Sequence, residues 1–392
     1  MSKRAGCPLR TCRAFERMNR ISAATEADIV EEVQGARARR TAFEIVGAGS
    51  KRNYGRPISC RDLLDVSSLK GIVAYQPEEL IVTVLPGTPV VELEAALAEK
   101  GQRLGFDPPD WGPLFGSSPQ IGTIAGAIST DACGPARVRY GAVRDQLLGF
   151  RAVNGLGEAF KAGGKVVKNV TGFDIPKLVC GAFGTLCILT ELTLRVFPKP
   201  SRERTFAIRD IGPEEGFALL RKVWASPLEA TGLGFCADSV VMRVEGEEGP
   251  LAEKVSMLKN LCGHHALESA DGEVFRAIGN GDAFLKSSIE LWRLSIPPSK
   301  AADVVARIGA SLWVGDCAGA ILWLATNDLQ MVREVAGAAG SHATLMKADA
   351  AKRAALGVFE AEDPARAQLT RSVKAAFDPL GLFNPGRMWD GV

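Results

Sequence analysis

Apolar residues fall in short runs through the first half of the chain, each closed by glycine or proline. Phe43-Glu44-Ile45-Val46 predicts a strand that runs into a glycine loop. Leu80 to Leu85 predicts a second strand, stopped by Pro86-Gly87. Val90, Leu93, Ala96 and Leu97 share one helical face, and Gly101 offers a C-terminal cap. Leu147 to Val153 predicts a strand, with Asn154-Gly155 as a hairpin signal. Between Leu186 and Phe197, residues Ile188, Thr190, Leu192, Leu194 and Val196 alternate with the opposite face. Pro198 and Pro200 interrupt any strand and set a domain boundary there.

Beyond that boundary the amphipathic runs lengthen. Helices are expected over 214–224, 251–261, 300–308 and 329–336, and strands over 239–244, 290–296 and 320–325. These elements imply antiparallel strands with helices on one face, an α+β arrangement. Residues 349–362 read as a linker and 363–377 as a last helix, ended by Asp378-Pro379.

Size and balance narrow the picture further. At 392 residues the chain is too long for one ordinary core, so two domains are expected. Its 47 basic and 45 acidic residues leave no electrostatic case for a nucleic-acid partner. No apolar stretch reaches the ~20 residues that span a bilayer. Met1 to Arg20 lacks the apolar centre of a secretory signal, and residues 1–21 read as a loose extension. The expected location is the cytoplasm, or the periphery of the inner membrane through a partner. Nine scattered cysteines make no disulfide framework. Cys7 and Cys12 lack further ligands at zinc spacing, so no metal is expected, and Cys180 and Cys187 read as buried, inert thiols.

Three glycine-rich segments carry the candidate chemistry. The first is Gly47-Ala48-Gly49-Ser50-Lys51-Arg52-Asn53-Tyr54-Gly55. Glycine after a strand lets backbone N–H groups approach an anion, Ser50 adds a hydroxyl, and Lys51 or Arg52 adds a charge. Arg52 stands where a Rossmann fingerprint needs its third glycine, and the lysine is misplaced for a phosphate loop of the Walker type. A tight structural turn explains this loop equally well. The second segment runs from Gly122, Thr123, Ala125 and Gly126 to Gly134, then Tyr140 and Asp145. Its small residues suit either a flat, phosphorylated ligand or close helix packing. The third is Gly181-Ala182-Phe183-Gly184-Thr185-Leu186, leading into the strand that begins near Ile188. Gly163 to Asp174 precedes it and carries Lys165 and Lys168, which face phosphate or solvent.

Taken in order, these segments resemble the FAD-binding domain of the vanillyl-alcohol oxidase / p-cresol methylhydroxylase family, over about residues 22–199. The resemblance implies that the first loop holds the pyrophosphate. It implies that the small-residue stretch with Tyr140 and Asp145 cradles the flavin, and that Gly184, Thr185 and Ile188 lie along FAD. Cys187 stands where that family often has glycine. Arg139-Tyr140-Gly141-Ala142-Val143-Arg144-Asp145, Lys168-Asn169-Val170-Thr171-Gly172-Phe173-Asp174 and Phe383-Asn384-Pro385-Gly386-Arg387-Met388-Trp389 narrow the likeness to the FAD-binding subunits of bacterial glycolate oxidases. The resemblance implies a two-domain FAD-binding fold of the p-cresol methylhydroxylase (PCMH) type with an α+β cap over 200–348. Residues 349–392 would return to the FAD domain, with Asn384 and Arg387 near the flavin ring. A small 2-hydroxy-acid substrate, a catalytic flavin subunit and an iron–sulfur subunit are implied partners.

Oxidising a 2-hydroxy acid needs a base for the hydroxyl proton and a cation for the carboxylate. The only histidines are His264, His265 and His342; the adjacent pair is expected to point apart, and all three to serve the surface. Arg243, Arg276 and Arg293 are possible carboxylate partners, with solvated surface as the alternative. The chain therefore reads as an FAD-bearing subunit of a complex. An independent dehydrogenase and a scaffold without FAD are the alternatives.

Covalent flavin attachment in the resembled family usually joins a histidine, and residues 1–263 contain none. FAD is thus expected to be noncovalent. Acid precipitation should release the yellow chromophore into the supernatant; colour kept in the pellet would overturn this, with Cys133 the first suspect.

Overall fold

The computed structural model describes residues 19–164 and 173–392. Cys7, Cys12, Lys165 and the Lys168-to-Gly172 part of the resemblance lie outside the described residues.

The chain opens with β1 (Asn19–Ser22), α1 (Glu26–Arg39), β2 (Phe43–Val46) and β3 (Asp62–Asp65). All three strands are parallel, with β3 in the middle. β1 and β2 flank β3, and α1 carries the chain from one flanking strand to the other. Thr25 starts that helix: its hydroxyl accepts from the Asp28 N–H, and the Asp28 carboxylate accepts from the Thr25 N–H. Ile29, Val33 and Ala36 then recur at helical spacing on the buried face. The expected loose extension therefore ends earlier, because Asn19–Ser22 pairs with β3. Four residues at a sheet edge are too few for alternation to announce.

Next come β4 (Ile72–Gln76), β5 (Ile81–Val84), α2 (Val90–Ala98), β6 (Gln102–Arg103), α3 (Ile124–Ser129), α4 (Arg137–Tyr140) and α5 (Val143–Gln146). They lead to β7 (Leu147–Val153), β8 (Ala159–Gly163), α6 (Ile175–Val179), β9 (Ile188–Arg195) and β10 (Phe197–Pro198). Five of these strands form an antiparallel sheet in the order β4-β5-β9-β7-β8. The hairpin expected at Asn154-Gly155 forms, with the Asn154 side chain accepting from the N–H groups of Leu156 and Glu158.

The second half comprises β11 (Arg202–Ile208), α7 (Pro213–Trp224), β12 (Gly232–Cys236), β13 (Ser239–Gly246), α8 (Glu248–Cys262), β14 (Glu268–Ala270) and α9 (Glu273–Asn280). It continues through β15 (Leu291–Ser295), α10 (Ala301–Ile308), β16 (Leu312–Asp316), β17 (Ile321–Ala325), α11 (Leu329–Ala338) and β18 (His342–Lys347). Eight strands make one antiparallel sheet, ordered β14-β11-β13-β12-β16-β17-β15-β18. Period-two alternation sends Val240, Met242, Val244, Leu322 and Leu324 into a core with Phe217, Leu220 and Leu258 of α7 and α8. Val241, Trp323 and Ala325 face the other way, into a core shared with Trp111, Phe106 and Leu192 of the first half. The sheet is thus buried on both faces, and its inner face meets the first domain. The fold is α+β, as expected.

The segment read as a linker contains a helix, α12 (Ala350–Leu356), started by the Asp349 side chain on the Lys352 N–H. Alanine-rich sequence favours that helix, but its buried residue is Arg353, so no apolar stripe marks it. After α13 (Pro364–Phe377) the tail folds back. Asp378 accepts the N–H groups of Leu382 and Phe383, while Lys374 Nζ donates to Asp378 and to the Thr185 and Phe383 carbonyls. The tail then joins β2, with the Phe43 N–H on the Leu382 carbonyl at 2.8 Å and the Asn384 N–H on the Phe43 carbonyl at 3.0 Å. No helix among the described residues is long and apolar enough to cross a membrane.

Candidate functional site

The loop after β2 and the start of α3 face each other across a narrow cleft of about 120 Å³. They approach so closely because of glycine: a Cβ on Gly47 would lie 2.7 Å from Thr123 Oγ1. Gly49 takes φ +76, in the left-handed region that side chains avoid. Thr123 begins α3 and accepts the Gly126 N–H at 3.3 Å. Ser50 is buried beside Lys51.

Lys51 is the distinctive charge here. Its side chain reaches towards Gly122, and a Cβ there would sit 3.4 Å from Nζ. Loss of hydration pushes its pKa down to about 8, partly opposed by Asp110. Among the described residues no ion pair or hydrogen bond of its ammonium is found. Arg52, by contrast, is bound to the buried Glu44. Lys51 and the two glycine-bearing backbones thus form a narrow cradle with one positive charge.

The cradle is braced from behind. Glu44 holds Arg52 Nε at 2.9 Å and Arg387 Nη2 at 3.0 Å. Arg387 also donates to the carbonyls of Arg52 and Arg56, and Arg353 to that of Gly55 at 2.8 Å. Asn384 accepts the Ile45 N–H and donates to the Phe183 carbonyl. Asn384 and Arg387, expected near a flavin ring, spend their polar groups on the loop and its neighbours, although both border the cleft.

A larger cavity of about 650 Å³ opens between the two domains and shares Lys51 and Gly122 with the cleft. Val90, Glu94, Asp107 and Asp110 line one side; Glu203, Arg243 and Arg276 line the other. Seven carboxylates face it (Glu94, Asp107, Asp110, Glu203, Asp271, Glu273, Asp282) against three cations (Lys51, Arg243, Arg276). Burial, then the neighbouring Asp107, pushes Glu94 up to about 7. Arg243 is committed to Asp107 at 2.9 Å and to the Thr231 carbonyl at 3.0 Å. Arg276 is exposed and paired with Glu273. Phe106-Asp107-Pro108-Pro109-Asp110 was not singled out in the sequence; two prolines between two aspartates are its only signal.

The structure gathers Gly47, Ala48, Gly49, Ser50, Lys51, Thr123, Ala125, Gly126 and Gly184 around the cleft, with Gly122 on the adjoining cavity. It leaves five expected residues outside both. Gly134 packs on the Asp107 carbonyl, where a Cβ would be 2.3 Å away. Tyr140 lies against Phe197 and under the Arg103 guanidinium. Asp145 caps α5 through the Ala142 N–H. Thr185 bonds the Ala182 carbonyl, and Ile188 sits in the core with Phe43 and Leu64. Each of the five thus makes a contact within the protein that spacing does not announce.

Two further groupings escaped the sequence. Asp316, pushed up to about 6 by burial, feels Arg137 across the domain interface and Arg293 from its own sheet. His264 and His265, expected to diverge, bring their rings to 4.2 Å, because the chain leaves α8 through Gly263 at φ +64 rather than along a strand.

The fold is of the PCMH type, and the chain is an FAD-dependent oxidoreductase subunit. An FAD binding domain model matches residues 20–163. The fold is shared with p-cresol methylhydroxylase, at TM-score 0.69 and 13% identity over 95% of this chain and 88% of that one. It is shared too with 4-ethylphenol oxidase from Gulosibacter chungangensis, at TM-score 0.68 and 14% identity over 95% and 89%. The chain is 33% identical to glycolate oxidase subunit GlcE of Escherichia coli (strain K12), over 92% of its own length and 96% of that protein's. It belongs to the GlcE family.

Two outcomes are expected from the cradle. Gly49→Val should abolish flavin retention in the purified protein, since a β-branched residue resists φ +76. Unchanged flavin absorbance would make the loop a structural turn only. The second outcome concerns pH. The protonated form of Lys51 attracts a diphosphate, and its pKa is about 8. FAD affinity should therefore be level below that pH and fall as pH rises through it. Lys51→Met should flatten the profile and cost about 1.5–3 kcal/mol at neutral pH, read by flavin fluorescence titration.

Proposed function

We propose that the chain is the FAD-carrying subunit of a glycolate oxidase complex, in which glycolate is oxidised to glyoxylate. Electrons pass through FAD to a catalytic flavin subunit and an iron–sulfur subunit. The observation that carries this reading is the near full-length similarity to GlcE, joined to a cradle whose buried lysine suits a diphosphate. In this proposal Gly47 to Lys51 and Thr123 to Gly126 hold the FAD pyrophosphate without a covalent bond. When bound, FAD supplies two-electron acceptance and one-electron release. Lys51 neutralises the diphosphate, and the N–H groups of the loop orient it; those of Ile124, Ala125 and Gly126 already bond Thr88, Pro86 and Thr123. Arg387 and Arg353 keep that loop in place through its carbonyls. Any attachment to a membrane would run through the partners.

The acidic interdomain cavity supports an accessory role. An anionic 2-hydroxy acid would enter against an excess of carboxylates, and Arg243 is already spent on Asp107. An independent 2-hydroxy-acid dehydrogenase is the second reading, favoured by Asp316, which burial pushes up to about 6 against the charges of Arg137 and Arg293.

Anaerobic mixing with glycolate separates the two readings. The partner-free chain should show flavin but little bleaching, since lack of a positioned base costs typically about 10²–10⁴-fold. Co-expression with the partner subunits should restore turnover. Rapid bleaching of the pure chain would overturn the accessory reading and promote the dehydrogenase.

A further inference from the structure

We propose that Glu215, His264 and His265 form a site for a divalent transition-metal ion of the zinc class, on the outer helical layer of the cap. The site is independent of the flavin reading, because α7 and α8 cover the face of the cap sheet turned away from the first domain.

Three observations carry it. First, the ligand atoms of the three residues all lie within 4.8 Å of one another. His265 Nε2 and Glu215 Oε1 are already 3.2 Å apart. Two ligands of a tetrahedral zinc ion, with bonds of about 2.0–2.2 Å, sit roughly 3.3 Å from each other. That pair therefore needs almost no adjustment. His264 is exposed, so side-chain rotation can close the remaining gap. Second, the donors come from two elements. Glu215 is in the first turn of α7, and the histidines come just after the end of α8. A shared ion would tie one helix to the other. Third, the backbone is set for it. Gly263 turns the chain at φ +64, and the His265 N–H bonds the Cys262 carbonyl at 3.2 Å. Adjacent imidazoles thereby face one region instead of opposite sides.

The donor set selects the ion. Two imidazole nitrogens and one carboxylate suit zinc, nickel or copper, whereas calcium and magnesium prefer oxygen alone. The terminal carbonyls of the fifteen-residue α8 also favour a cation at that end. Three protein ligands leave a fourth position to water, on the solvent side.

The test uses the full chain stripped with a chelator. Zinc chloride is titrated in by calorimetry, and cobalt(II) serves as a spectroscopic probe. One equivalent of zinc should bind, and cobalt should give the visible d–d bands of a tetrahedral site. His264→Ala, His265→Ala and Glu215→Ala should each weaken zinc binding by at least about tenfold, the loss expected when a ligand is removed. His342→Ala and the Cys7→Ser/Cys12→Ser pair should leave it unchanged. Metal should raise the thermal midpoint of the wild type but not of a His264→Ala/His265→Ala variant, and without metal the two proteins should melt together. Zinc binding that survives in that double variant overturns the proposal. So does loss of binding in the Cys7/Cys12 variant, or the lack of a saturable equivalent. A double variant that melts early without metal is replaced by His264→Gln/His265→Gln, judged by the same criteria.

Discussion

Everything at the cleft depends on holding a lysine with little water and, among the described residues, no ion-pair partner between two backbones that nearly touch. Burial drives Lys51 towards neutrality, so the loop that carries it has no reason of its own to keep this shape. The shape is imposed from behind. Glu44 fixes Arg52 and Arg387, and Arg387 and Arg353 donate to the carbonyls of Arg52, Gly55 and Arg56. The loop is thus held through its carbonyls. An anion entering the cleft would supply the missing counter-charge, which makes ligand binding and loop order two parts of one balance.

The same logic explains why the C-terminal tail comes back to the start of the chain. Lys374 and Asp378 are both out of water, a placement that is tolerable only with paired charges and satisfied hydrogen bonds. Here the ion pair receives and supplies bonds to Leu382, Phe383 and Thr185. The clasp presents Asn384 and Arg387 to β2 and the loop. Residues more than three hundred positions apart in sequence therefore share one hydrogen-bond network.

The cap contributes differently. Its sheet is apolar on both faces, so one face takes helices and the other takes the first domain. Polar groups caught at that second contact, such as Asp316 with Arg137 and Arg293, have their ionisation set by neighbours from both domains. The open part of the interface is acidic, which separates the space beside the cradle from what an anionic substrate would prefer.

Local pattern alone determined much of this molecule. Periodicity located α2, α7, α8, α10 and α11 and strands β2, β5, β7, β9, β13, β15 and β17, because their faces differ in burial, but not α1, α9, β11, β12, β16 or β18. Glycine order marked the cradle, since Gly47 and Gly49 do what no side chain permits. Pattern failed where the decisive contact is distant. α12 buries an arginine instead of an apolar stripe. Tyr140, Asp145, Thr185 and Ile188 make packing and capping contacts that their motif does not announce. His264 and His265 converge only because a left-handed glycine redirects the chain. Sequence determines which groups exist and the local period that orders them; tertiary structure alone decides which of them meet, because burial and charge neighbours are properties of three dimensions.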